Sequence, residues 1–202
     1  MLSRFVPGFL VRFFARPYVA GSNLDEAIET VVTAHDDRGL LSTLDLLGED
    51  VVEPAQVERQ VTAYREMLRR SAEDACFEGR PRPTVSVKPS GFTCTAAEDA
   101  RARVFELAEH AHRCGVPLTI DMEDRRWTDL TLEWATQLYG RGHEVGTVLQ
   151  TRLHRTQDDL ERIPAGMRIR LVIGIYPEPA EVATTDKDEM KERMLTFARR
   201  LL

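Results

Sequence analysis

Residues 116–150 read VPLTIDMEDRRWTDLTLEWATQLYGRGHEVGTVLQ. A short β-rich run, PLTID, ends on Asp121; a helical pattern, TDLTLEWATQLYG, follows; a second β-rich run, VGTVLQ, ends on Gln150. Strand, helix and strand at this spacing make one unit of a parallel sheet, because parallel strands need a crossover long enough to hold a helix. The same unit recurs upstream. TVSVK, Thr84 to Lys88, precedes a helix through ARARVFELAEHAHRC that stops at Gly115, with Thr95 and Glu98 as a capping-box signature. Earlier still, LLSTLDLLG holds a first strand, Leu40 to Leu47. The helix after it begins near Pro54, and Val57, Val61, Tyr64 and Leu68 mark its apolar face. Downstream, Thr156 and Asp159 suggest a cap before DLERI, and RIRLVI, Arg168 to Ile173, is a fifth strand entering Gly174. Asp186 and Glu189 open a last helix with Met190, Met194, Phe197 and Leu201 as its apolar stripe. LDEAIETVVTAHDDRG, ended by Gly39, precedes the series. The chain therefore reads as one domain over 1–202, with leading helices in 1–39 and βα units in 40–202.

Five βα units in series mean an α/β fold with a parallel sheet and right-handed crossovers. A doubly wound sheet and part of a (β/α)8 TIM barrel both fit. No GxGxxG follows the first strand, which lowers the weight of the dinucleotide-binding version. Polar residues at strand ends favour the barrel, which places chemistry at the carboxyl ends of several strands. Lys88, Asp121 and Gln150 end three successive strands, and Arg170 lies within the next. Such a set can hold an anionic substrate, balance that cation, and hydrogen-bond a polar planar ligand. Each residue also has a plainer reading. A lysine can close a strand simply to reach water. Asp121, Glu123 and Asp124 precede a helix, where its dipole favours carboxylates. Arg168 and Arg170 share a strand face and suit structural ion pairs.

Composition narrows the chemistry. Hydrophobic residues at 43 % and charged residues at 30 % are enough for a sizeable core. A net charge of −6 gives no support for a nucleic-acid partner. Cys76, Cys94 and Cys114 are widely spaced with no CxxC, and no HExxH occurs, so no metal site is expected. The odd cysteine count reads as reduced cytosolic thiols. No GxSxG elbow is present. The lack of a nucleophile with its base argues against hydrolysis and leaves room for a cofactor to carry the chemistry. The opening MLSRFVPGFLVRFFARPYVAG is aromatic and basic, too short and too charged to span a bilayer. It reads as an ordinary leading helix, with contact to a membrane surface or another subunit as the alternative. The expected location is the cytoplasm, with peripheral contact at the inner face of the membrane as the variant.

Taken as phrases, these segments resemble the proline dehydrogenase family, in its small, single-function bacterial type. RPYVAG with LDEAI is similar to the family's leading region, and STLDLLGE, Ser42 to Glu49, to its first barrel strand. TVSVKPS resembles the second strand, TIDMED the third, TDLTLE with VGTVLQTRLHRT the next helix and the fourth strand, and RIRLVIGIYPEPAEVATTDK the fifth. The resemblance implies FAD as cofactor, L-proline as substrate and a quinone as electron acceptor, with oxidation of proline to pyrroline-5-carboxylate. It implies Lys88 and Tyr176 as substrate-binding residues, and Asp121 and Arg170 as catalytic ones. It implies flavin contacts from Met122, Gln150, Arg170, Val172, Ile173, Gly174 and Ile175.

Two departures bear on that site. The family usually reads Lys-Gly-Ala-Tyr where this chain has Ile173, Gly174, Ile175 and Tyr176. Pro89 follows Lys88 where leucine is usual. The resemblance also implies truncation after about five of eight βα units, without the final strands or the last helix and its arginine pair. Five strands cannot close an eight-strand barrel. The alternative expectation is therefore a catalytically inactive remnant, or a half barrel completed by another fragment or by an oligomer. An unrelated α/β binding protein is the third reading.

Overall fold

The computed structural model describes residues 20–202, and the opening segment expected to lead the chain lies largely outside them. The first described helix, α1 (Leu24–Arg38), starts on Asn23, whose side chain accepts from the Glu26 N–H. It ends at Gly39, whose φ of 66° is a left-handed conformation that favours glycine.

Five strands follow: β1 (Thr43–Asp45), β2 (Thr84–Val87), β3 (Leu118–Ile120), β4 (Val145–Gln150) and β5 (Ile169–Val172). They alternate with α2 (Pro54–Glu73), α3 (Ala97–Cys114), α4 (Thr128–Gly140) and α5 (Thr156–Arg162), and α6 (Lys187–Leu201) comes last. All four pairings are parallel, in the order β1-β2-β3-β4-β5. That sequential order separates the two architectures left open above. A doubly wound sheet reverses direction at a switch point; a (β/α)8 barrel adds each strand to the same side of the last. Among the described residues β1 and β5 each have one strand neighbour, so the sheet is open.

Register divides the sheet into two chemically different faces. Val85, Leu118 and Val145 align, as do Val87 and Ile120, and these face the helices. They pack with Tyr64, Leu68, Val104, Leu107, Ala108, Trp134 and Leu138 into the main core. The residues between them, Ser86, Thr119 and Gly146, also align and point the other way. Gly146 is required there, because a Cβ would overlap the carbonyl oxygen of Arg168, the residue just before β5. A smaller apolar cluster of Met122, Val148, Leu149, Leu153 and Ala183 lies at the β4 end.

Several expected boundaries shift for identifiable reasons. The first strand contracts from Leu40–Leu47 to Thr43–Asp45, because only those residues find partners on β2; Leu41 and Leu47 are exposed. The second strand stops before Lys88, because Pro89 lacks an N–H and opens a 3₁₀ turn, Pro89–Phe92. The Thr95–Glu98 box does not form: Ala96 holds the N-cap position and the Thr95 hydroxyl bonds the Asp99 carboxylate. Nor does Thr156 cap α5. It is the first residue of that helix, and its hydroxyl donates to the Gln150 carbonyl at 2.6 Å, while Asp159 takes Arg155. Asp186 does cap α6, accepting from Asp188 N–H and Glu189 N–H at 2.9 Å each. Of the α6 stripe, Phe197 is buried, Met190 and Met194 are half-buried, and Leu201 is exposed. The four apolar residues expected on α2 are all buried.

Candidate active site

The helix-free face of the sheet becomes charged toward the carboxyl ends of its strands. Lys88 lies one residue past the Val87–Ile120 pair, level with Asp121, and Arg170 pairs with Val148 on the neighbouring strand. Asp121 therefore sits between two cations. Arg170 Nη2 donates to Asp121 Oδ1 at 2.7 Å, and Lys88 Nζ stands 3.8 Å from Asp121 Oδ2. The Ser86 hydroxyl donates to the same Oδ1, and Lys88 also pairs with Asp45 on β1. The Tyr64 hydroxyl, from under the sheet, donates to Asp45 Oδ1 at 3.3 Å. Alternation along the strands makes this network: Asp45, Ser86, Lys88, Asp121 and Arg170 all fall on the face opposite the main core.

Burial lifts the Asp121 carboxyl above its ordinary value. Arg170, the Ser86 bond and Lys88 pull it back, and Asp45 pushes it up further. Asp121 is 7 % exposed. Removing one partner from so desolvated a cluster would leave a charge uncompensated.

Gln150 is in the same region but in different company. Its Nε2 donates to the carbonyls of Met122 at 3.3 Å and Glu123 at 2.7 Å. Its Oε1 is buried without a partner, as are Thr151 Oγ1 and Arg152 Nε. Gly174, at φ 106°, lies against that oxygen, and a Cβ there would overlap it. Orphaned acceptors and donors beside a cleared backbone fit a planar ring bearing both N–H and C=O groups, such as the flavin that the resemblance implies.

The structure thus brings Lys88, Asp121 and Arg170 into one network and sets Gln150 and Gly174 beside each other. Met122 is buried in the smaller apolar cluster. Val172 is half-buried, Ile173 is 41 % exposed and Ile175 is 88 % exposed. Tyr176 donates to Glu49 Oε2 at 2.7 Å, which ties the segment after β5 to the segment after β1; burial, and next that bond, push its phenol upward.

Four contributors escaped sequence reasoning: Asp45, Ser86, Glu123 and Glu49. Asp45 and Ser86 are legible only once register is known. Glu123 reads as one of several carboxylates before a helix, yet it is 3 % exposed. It accepts from the Ser90 N–H at 2.8 Å and from the Ser90 hydroxyl, and burial, with Glu49 and Asp50 adding, pushes it up to about 7. Among the described residues, no group of three or more His, Cys, Asp or Glu side chains could hold a metal ion, and no helix is long and apolar enough to cross a membrane.

Comparison with known proteins gives one family. The proline dehydrogenase family model matches residues 27–184. Proline dehydrogenase 1 of Bacillus subtilis (strain 168) is 30 % identical over 188 residues, covering 92 % of this chain and 60 % of its own length. The proline dehydrogenase of Deinococcus radiodurans is 33 % identical over 192 residues, covering 91 % and 60 %. The chain thus spans about three-fifths of the length of these relatives. Among solved structures, proline utilization A from Bdellovibrio bacteriovorus, inactivated by N-propargylglycine, superposes with a TM-score of 0.83 at 22 % identity, covering 95 % of this chain and 24 % of that one. A Bradyrhizobium japonicum proline utilization A gives 0.67 at 19 % identity, covering 90 % and 22 %. These likenesses identify the open five-stranded sheet as part of a (β/α)8 barrel.

Proposed function

Because this chain belongs to the proline dehydrogenase family, we propose that it supplies the first five strands of a flavin-dependent site that oxidises L-proline to pyrroline-5-carboxylate. The observation that carries the reading is Asp121, held between Lys88 and Arg170 at the carboxyl ends of consecutive strands. FAD, when bound, would supply the acceptor for a hydride from proline Cδ, the ring carbon beside nitrogen that bears no carboxylate, while the ring nitrogen gives up a proton to solvent as the C=N bond forms. This chain's residues bind and orient. Lys88 presents an ammonium to the substrate carboxylate, while Asp45 and Asp121 fix its position. Arg170 directs its guanidinium across the inner face, anchored by Asp121. Gln150 Oε1, with Gly174 beside it, offers an acceptor to the flavin, and Val172 to Ile175 form the adjoining wall. Tyr176, tethered to Glu49, borders the substrate side. A quinone as final acceptor and peripheral contact with a membrane belong to the same reading.

The open sheet favours one refinement: turnover requires further strands beside β5, from a continuation of the chain, another fragment or a second copy. A site on an unclosed sheet lacks the walls that hold two reactants in near-attack geometry. The test is FAD binding by fluorescence quenching, then proline-dependent dye reduction, with and without a co-expressed fragment carrying three more βα units. The expected result is negligible dye reduction by the chain alone and measurable turnover with the fragment. Robust turnover by the chain alone would overturn the need for completion. No flavin binding and no turnover with the fragment would leave the inactive remnant.

A further inference from the structure

Arg152 lies two residues beyond the end of β4 and is 9 % exposed. Its backbone is fixed on both sides. Its N–H donates to the Ile173 carbonyl at 3.1 Å, and its carbonyl accepts from the Thr184 N–H at 3.0 Å. Arg193 of α6 steadies the same turn by donating to the carbonyls of Thr151 at 2.7 Å and Leu153 at 2.6 Å. The Arg152 side chain runs beside Gly174, where a Cβ would stand 3.1 Å from both Cγ and Cδ. Its Nη1 donates to the Tyr176 carbonyl at 3.1 Å. Nε is buried with no acceptor. Among the described residues Nη2 has no hydrogen bond, and no carboxylate lies within 4.0 Å of the guanidinium.

This is an unusual state for a cation. A buried charge is normally paired, because losing water carries a large penalty that one neutral carbonyl does not offset. The neighbouring cations follow that rule: Lys88 has Asp45 and Asp121, and Arg170 has Asp121. Arg152, at the same end of the sheet, is left over. Its uncommitted atoms are the Nε and Nη2 edge, which can grip two oxygens of one oxyanion side by side.

We propose that Arg152 is an oxyanion-binding residue whose ligand is a phosphoryl group. A phosphoryl group suits it better than a carboxylate, since it brings more negative charge and more acceptor oxygens to a site without other counter-charge. The identification of that group with the diphosphate of FAD rests on the flavin reading above; the anion site itself does not. Arg152 would then hold the cofactor through its charge, while Gln150 meets the ring.

The test uses the 202-residue chain. Thermal unfolding is followed with sodium pyrophosphate, and with proline or sodium chloride at matched ionic strength. Fluorescence titrations with FAD and riboflavin follow. Arg152→Met keeps the stem and removes the charge; Arg152→Lys keeps the charge and loses the fork. Pyrophosphate is expected to raise the midpoint of the parent, and to bind Arg152→Met at least ten-fold more weakly, with Arg152→Lys intermediate. FAD should lose affinity in Arg152→Met while riboflavin does not. Should Arg152→Met fail to fold, the parent and Arg152→Lys still decide. An equal pyrophosphate response from those two, or none from the parent, overturns the proposal. A response to proline alone overturns the phosphoryl assignment. FAD binding that is equal in parent and Arg152→Met overturns the identification with the FAD diphosphate and leaves the flavin reading standing. A pyrophosphate response that depends on Arg152, without FAD binding, upholds the anion site and removes the flavin reading.

Discussion

Glu123 joins two parts of the site through different atoms. Its carboxylate holds Ser90, two residues past Lys88, and its carbonyl holds the amide of Gln150. Its carboxyl is pushed up to about 7, against an ordinary 4.5. Between those pH values the folded chain keeps a proton that the unfolded chain has lost, so stability falls as pH rises through this window. At 1.36 kcal/mol per pH unit the loss is at most about 3 kcal/mol. Urea unfolding at pH 5 and pH 8 should show Glu123→Gln losing less stability over that interval than the parent, by up to that amount. An identical pH dependence would mean that Glu123 is already ionised at pH 5. At this scale legibility followed strand ends. Lys88, Asp121 and Gln150 stood out because strand runs stop at them. Asp45 and Ser86 did not, because a short polar residue inside a strand signals nothing until its face is known. The Ile173 and Ile175 departures are testable as residues too. Both side chains are exposed, so changing them disturbs little core. Ile173→Lys with Ile175→Ala should tighten FAD binding in a fluorescence titration, through an added cation and a cleared surface. Equal or weaker binding would show the apolar pair to be harmless.

At the scale of elements, strand type and parallel pairing were readable, while the order within the sheet was left between two architectures, most lengths shifted, and of the three expected N-caps only Asp186 forms. VGTVLQ is a strand over the expected six residues because its two ladders are offset, Val145–Thr147 pairing with β3 and Thr147–Gln150 with β5. LLSTLDLLG pairs over three residues, because only Thr43–Asp45 lies in register with β2. The two failed caps share a cause. Thr95 and Thr156 each found a tertiary or local partner that competes with the helix N-terminus: the Asp99 carboxylate for one and the Gln150 carbonyl for the other. Gly146 illustrates the reverse, a residue whose importance is visible only between elements. Gly146→Val would drive a branched side chain into the backbone of Arg168 at the entry to β5. A loss of about 2 kcal/mol or more in denaturant unfolding is expected, with weaker FAD binding because Arg170 moves with β5. Unchanged stability would mean that β4 and β5 can separate freely at that point.

For the whole molecule, the sequential strand order has a consequence for how the chain reaches this state. The pairings link residues at shrinking separations: 41 for Thr43 with Thr84, 33 for Val85 with Leu118, 27 for Leu118 with Val145 and 22 for Thr147 with Ile169. Each doubling of a closed loop adds only about 0.6 kcal/mol of entropy loss, but the narrowest loop here also closes the longest ladder, four pairs between β4 and β5 against three in each of the others. Assembly of these five strands therefore starts most easily at β4 and β5, which follow the others in the chain, and spreads back toward β1. A ribosome releases the strands in the opposite order, so β1 waits without a stable partner while the rest is made. Amide exchange measured in the folded chain should carry the imprint of that order: Thr43–Asp45 exchanging earliest, Val148–Gln150 last. Equal protection across all five strands would mean that the sheet forms and opens as a single cooperative unit, with no seam at which it begins to come apart.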